Sequence, residues 1–188
     1  GDVSRFPALS AAGDAVPASI FARLREHLAR FPGDVIPLQI GDTHLAPPAT
    51  LDAVALRELP QADVYAYGAP NGYAPLVTAI AAKAGRDNGL DVGEASVQIA
   101  CGATHALSCA VGALCDPGDE LILVTPHWPL IRGIALALGV VQVEVAGGEG
   151  LGERLERAVT PRTAAIYAAT PNNPDGAMLG ASERDALA

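Results

Sequence analysis

The sequence predicts an α/β fold of three layers, a mostly parallel sheet with helices on both faces. Three observations carry this. From residue 96 onward, short apolar runs alternate with amphipathic ones across brief turns, the pattern of strand–helix–strand units. Half of the 188 residues are hydrophobic and 18% are charged, with a mean hydropathy of +0.27, so the chain can fill a core and is not disordered. Aromatics are only 4%, which leaves the apolar mass to Ala, Leu and Val and favours helices packed closely on a sheet over an aromatic-rich sandwich.

Taken in order, residues 1–17 are rich in Gly, Pro and Ala and read as an arm. Ile20, Leu24, Leu28 and Phe31 recur at helical spacing with Arg and Glu opposite, predicting a helix over Ser19–Phe31 on which His27 is solvated. Val35–Ile40 is a short extended run, 41–50 holds turn residues, and Leu51–Leu59 is helical up to Pro60. A loop over 64–73 precedes a helix over Ala74–Asp87. The alternation then runs strand Ser96–Ala100, helix Ala103–Cys115, turn Asp116–Asp119, strand Glu120–Thr125, helix Leu130–Leu138, strand Val140–Val145, helix Leu151–Ala158 and strand Ala164–Ala169. Right-handed crossovers place the C-terminal ends of such strands along one edge, where ligands bind in open α/β sheets.

Charge and cysteine usage narrow the function. The net charge is −9 with a pI near 4.7 and no basic run, which argues against nucleic acid or an anionic membrane as partner. A local anion site at a helix start stays open, because backbone N–H groups act at short range. Cys101, Cys109 and Cys115 match no zinc spacing and read as small buried apolar residues of a reducing compartment. No apolar stretch reaches the roughly 18 residues of a membrane span, and the first residues lack the apolar run of a signal peptide. The expectation is a soluble, cytoplasmic protein.

Three loops fall on the predicted edge. Cys101-Gly102-Ala103-Thr104 follows a strand and opens a helix that is apolar on nearly every face and therefore expected to be buried. Gly102 admits close backbone approach, while the N–H groups of Ala103 and Thr104 with the Thr104 hydroxyl suit a phosphate. An ordinary Gly turn with a Thr cap explains the same residues. Thr125-Pro126-His127-Trp128-Pro129 carries the only tryptophan, in a Pro-flanked turn where an indole can stack on a flat ligand. Thr170-Pro171-Asn172-Asn173-Pro174-Asp175-Gly176 offers amide donors and acceptors from a turn fixed by proline.

Taken together, these motifs resemble the front half of the class I/II aminotransferase family, fold-type-I enzymes that depend on pyridoxal 5′-phosphate. Asn172-Asn173-Pro174-Asp175-Gly176 is similar to the family's Asn-Asn-Pro-Thr-Gly signature, with Asp175 in place of Thr. Cys101–Leu107 resembles its phosphate-binding Gly-Ala-Thr-Glu-Ala-Leu stretch, and Asp116–Glu120 with Thr125–Pro129 its Asp-Pro-Gly-Asp-Glu run and Pro-x-Tyr/Trp-Pro turn. Tyr67–Gly72 resembles its Tyr-x-x-x-x-Gly loop, and Ile40-Gly41-Asp42 its early Ile-Gly-Glu/Asp. The match is collinear from about residue 36 to the C-terminus.

The resemblance implies the large-domain architecture of these transferases, with residues 1–45 as an arm and small-domain contribution and 46–188 as the first part of the cofactor-binding domain. It implies that Gly102, Ala103 and Thr104 hold the cofactor phosphate, that Trp128 stacks on the pyridine ring, and that Asn173 bonds the ring's phenolic oxygen. Tyr67 would reach the phosphate in a partner subunit of a homodimer, and Gly41 would lie against the substrate carboxylate. The substitution at Asp175 is expected to affect turn capping. The reaction implied is amino-group transfer from an amino acid to a 2-oxo acid.

The family's chemistry also needs a lysine that bonds the cofactor, within a Ser-x-Ser-Lys stretch beyond the Asn-Pro signature. The single lysine here, Lys83, lies ahead of the phosphate loop and matches no such stretch. Ser182 as a helix N-cap with Asp185 three residues on predicts a helix close to the last residue, which reads as a chain cut before its catalytic lysine. Two rivals remain: a non-catalytic remnant or interaction fragment of the same fold, and a nucleotide-binding domain built on Gly147-Gly148-Glu149-Gly150-Leu151-Gly152. The latter spacing is one residue short of the dinucleotide pattern.

Overall fold

The computed structural model describes residues 9–17, 20–36, 41, 45–48 and 65–188. The expected helix Leu51–Leu59 and residues 37–40 of the expected extended run lie outside these. The chain forms two compact units, Gly1–Ala29 with Cys101–Ala188 and Arg30–Ala100.

Among the described residues, the first element of the first unit is a short helix where only an arm was expected. In α1 (Ala11–Ala15), the Ser10 hydroxyl caps the first turn by accepting from the Gly13 N–H at 3.0 Å. Helix α2 (Ile20–Ala29) follows. The second unit contributes α3 (Ala74–Asn88), which starts with proline in its first turn and stops at Gly89 in the left-handed conformation (φ +66°). Next in the first unit come α4 (Gly102–Leu114), β1 (Glu120–Thr125), α5 (Leu130–Ala137), β2 (Val141–Ala146), α6 (Leu151–Ala158), β3 (Thr163–Tyr167) and α7 (Ala181–Leu187).

Among the described residues the sheet has three strands in the order β2-β1-β3, all parallel. Strand β1 is central and buried from Glu120 to Val124. Its alternation divides the core. Leu121 and Leu123 face a cluster with Val111 of α4 and Ile131 and Ala135 of α5, while Ile122 and Val124 face Val145 of β2 and Leu151 and Leu155 of α6. Helices therefore cover both faces, as the sequence predicts. Each fully buried leucine or isoleucine in this core contributes about 1.5–3 kcal/mol relative to exposure. No helix among the described residues is long and apolar enough to cross a membrane.

Four expectations are corrected. Residues 97–100 are not a strand: a 3₁₀ turn occupies Glu94–Ser96, and the Ile99 N–H donates to the Asn71 carbonyl at 2.9 Å. The Gln98 side chain also reaches that loop, donating to the Pro70 carbonyl at 2.9 Å. Helix α4 is not buried; Val111 alone is, because one helix on a sheet hides one stripe and leaves its other apolar faces open. For the same reason Cys101 and Cys109 are exposed and only Cys115 is buried. Finally, α7 is capped at Gly180 rather than Ser182, with Glu183 reaching back to the Gly180 N–H at 2.7 Å.

Candidate functional site

Strand β1 connects to β2 on one side, and the chain then crosses to β3 on the other. The C-terminal ends of β1 and β3 thus flank a point where the connections diverge, the usual position of a ligand crevice. The loops Pro126–Pro129 and Ala168–Gly176 meet there. Asn172 Nδ2 donates to the Pro126 carbonyl at 2.9 Å and to Asp175 Oδ1 at 2.8 Å. Asp175 Oδ1 also accepts from the Ala177 N–H at 3.1 Å, closing the turn. That N–H, together with the Asn172 amide, holds the Asp175 carboxyl below the usual carboxylate range. The residue standing where the signature has Thr is therefore a turn cap, and it is Asn172, not Asn173, that ties the loops.

At the start of α4, Cys101 is the N-cap and its side chain makes no capping bond. The first-turn N–H groups have no intrahelical partner, and Gly102, Ala103 and Thr104 are exposed. Gly102 has φ +81°, and a Cβ built there would meet nothing within 4 Å. His105 turns back so that its Nδ1 accepts from the Cys101 N–H at 3.0 Å. An exposed, uncapped helix start fits an anionic oxygen group. Ser108 is occupied elsewhere, its hydroxyl donating to the Thr104 carbonyl at 3.0 Å.

Trp128 is half-buried. Its indole packs on the cluster that includes Leu121, Leu123 and Ile131, alongside Leu107 of α4 and Tyr167 of β3. Burial pushes the Tyr167 phenol up from its ordinary value. Trp128 and α4 accordingly share one face of the sheet. Asn173 is exposed in the loop after β3 at the same edge.

In the second unit, Tyr67 is fully exposed and Gly41 is exposed. The glycine ending the Tyr67–Gly72 loop has a packing role. Gly72 adopts φ +120°, and a Cβ there would collide with Ile99. Lys83 Nζ donates to Asn88 Oδ1 at 2.6 Å on α3.

A hollow of about 340 Å³ opens at the strand ends, lined by Val124, Thr125, Gly147, Asn172, Asp175 and Leu179 among others. Its apolar floor belongs to the α6 face. None of Gly102, Ala103, Thr104, Trp128 or Asn173 lines it, so the candidate site lies on the α4 side and not in this hollow.

Two residues stand out that sequence reasoning missed. Glu120 is buried at the start of β1, where its carboxylate accepts from the Thr160 hydroxyl at 2.5 Å, from Arg162 Nη2 at 2.5 Å and from the Thr163 hydroxyl at 3.3 Å. The Thr160 hydroxyl and then Arg162 hold it below the usual carboxylate range, against the opposing effect of desolvation. A glutamate opening the apolar run ELILV was the available signal. Arg154 donates to the carbonyls of Ala146, Gly147, Gly148 and Glu149 at 2.8–3.0 Å. The glycine-rich loop thus turns carbonyls inward onto a cation, the opposite of an anion cradle, which removes the basis for a dinucleotide site there.

Comparisons with known proteins agree with the motif order. The family model for aminotransferase class I and II matches residues 33–188. The aspartate/prephenate aminotransferase of Thermus thermophilus is 36% identical over 160 residues, 82% of this chain and 41% of that protein. A probable N-succinyldiaminopimelate aminotransferase of Mycobacterium tuberculosis is 40% identical over 124 residues, 62% of this chain and 31% of that protein. The crystal structure of an aspartate aminotransferase from Rhizobium meliloti superposes with a TM-score of 0.84 at 29% identity, over 95% of this chain and 46% of that one. The chain thus spans about two fifths of the curated relatives' length.

Proposed function

The chain belongs to the class I and II aminotransferase family, and from that premise we propose that it forms the front part of an enzyme passing an amino group from an amino acid to a 2-oxo acid. The family depends on pyridoxal 5′-phosphate, which supplies an electron sink for the substrate's α-carbon when bound. Gly102, Ala103 and Thr104 hold the cofactor phosphate through backbone N–H groups and the Thr104 hydroxyl. Trp128 lies against the ring and excludes water from one side of it, and Asn173 donates to the ring oxygen. Tyr67 serves the phosphate of a partner subunit, and Gly41 borders the substrate carboxylate. The exposed apolar faces of α4 suit coverage by a second subunit. The site of action is cytoplasmic.

The observation that carries the reading is the α4 start: exposed, uncapped, opened by a glycine at positive φ, and on the same sheet face as Trp128. Titration with pyridoxal phosphate, followed through the fluorescence of the single tryptophan, tests it. Saturable quenching that inorganic phosphate reverses is expected. Quenching that never saturates, or that phosphate leaves untouched, overturns it.

A further inference from the structure

His127 is assigned nothing by the motif match, yet it directly precedes Trp128 and its side chain is more than nine-tenths buried. Its Nδ1 lies 3.1 Å from the Trp128 carbonyl, which can only accept, so the ring donates there. The same carbonyl accepts from the N–H of Ile131, a fully buried residue in the first turn of α5, at 3.3 Å. The other ring nitrogen, Nε2, faces Glu144 Oε1 on the neighbouring strand β2 at 3.8 Å. Glu144 is held in turn by Arg132 of α5, whose Nη1 lies 3.3 Å from the same oxygen, while Arg132 Nε donates to Gln142 at 3.1 Å. These are the charged groups that the structure sets against the ring.

The Trp128 peptide is thereby fixed from two sides, by the helix start and by an imidazole braced against the edge strand. We propose that His127 is the positioning residue for the Trp128 plate, setting the orientation of the indole through the Trp128 carbonyl, with Glu144 and Arg132 as its support. This rests on the cofactor reading above for its purpose, but not for its test. The indole is hinged on a Pro-flanked loop, and a small rotation that tilts it away from a flat ligand weakens stacking while leaving a remote phosphate site intact.

The test compares His127→Leu, His127→Asn and the unaltered chain. Asparagine places an amide donor close to where Nδ1 stands, so it restores the bond to the carbonyl without reaching Glu144. Without any ligand, Trp128 fluorescence anisotropy is expected to fall in His127→Leu and to return most of the way in His127→Asn, at unchanged far-ultraviolet circular dichroism. With ligand, His127→Leu is expected to weaken pyridoxal phosphate binding about tenfold while inorganic phosphate binding stays within about twofold. Anisotropy unchanged in His127→Leu overturns the proposal, as does an equal weakening of both ligands, which marks a merely structural residue. If the unaltered chain binds no pyridoxal phosphate, the cofactor reading fails while the anisotropy comparison still decides the role of His127. Should His127→Leu not fold, Glu144→Ala on the exposed strand edge replaces it, with a smaller fall in anisotropy expected and no change counting against the proposal.

Discussion

Asn172 Nδ2 donates to the carbonyl of Pro126, 46 residues earlier, at 2.9 Å, and this one bond joins the loop after β1 to the loop after β3. Its geometry depends on Asp175, whose Oδ1 takes the second amide hydrogen. Asn172→Ala therefore removes both bonds. We expect about 1–2 kcal/mol of stability to be lost, read as a lower urea midpoint. A midpoint indistinguishable from the parent chain would show that the loops hold together by packing alone.

Gly102 occupies φ +81° with open space where a side chain would go. Gly102→Val strains the backbone by about 1–2 kcal/mol and fills the approach to the α4 N–H groups. Phosphate binding is expected to weaken at least tenfold, measured by displacement titration. Thr104→Ala, which keeps the backbone and removes one hydroxyl, is expected to weaken it severalfold. Equal affinity across all three chains would move the anion site elsewhere.

Glu120 links stability to pH. Its native carboxyl is held below the ordinary carboxylate range by the Thr160 hydroxyl and Arg162, so the unfolded chain binds the proton more readily. Stability therefore rises with pH across the window between the native and unfolded values. The contribution is complete above the ordinary range and is lost as the pH falls through the depressed native value. Denaturation midpoints are expected to drop on acidification, and Glu120→Gln to be less stable at neutral pH with a shallower slope in the acid range. Identical slopes for the two chains would assign the acid sensitivity to other carboxylates.

Gly72 sits at φ +120° against Ile99. Gly72→Ala combines backbone strain with overpacking, a loss of about 2–4 kcal/mol. Adding Ile99→Ala relieves the collision but not the strain, so the double variant is expected to show a loss smaller than the sum of the two single ones in a thermodynamic cycle. Strict additivity would mean that the two residues do not meet.

Core burial in α6 is equally direct. Leu155 is 3% exposed and packs with Leu151 beneath Ile122 and Val124. Leu155→Ala is expected to cost about 2–5 kcal/mol, measured by thermal unfolding. A loss below about 1 kcal/mol would show that the second face of the sheet is loosely packed.

Local chemistry decided much of this protein before any folding. The apolar run of β1 and the amphipathic period of α6 place those elements at Glu120–Thr125 and Leu151–Ala158 in both sequence and structure, because each pattern already states which face turns inward. The motif order likewise revealed the family, since ligand-facing loops follow strands at fixed points along the chain. What only the tertiary structure decided lies in pairs distant along the chain. Residues 97–100 look like a strand, but strand pairing belongs to two segments, and Ile99 found its partner in the Asn71 loop. Arg154 closes the glycine loop onto its own guanidinium, and Glu120 meets Arg162 across 42 residues. A buried carboxylate, a wrapped arginine and a braced histidine are each set by what approaches them in space, and a one-dimensional pattern does not contain that approach.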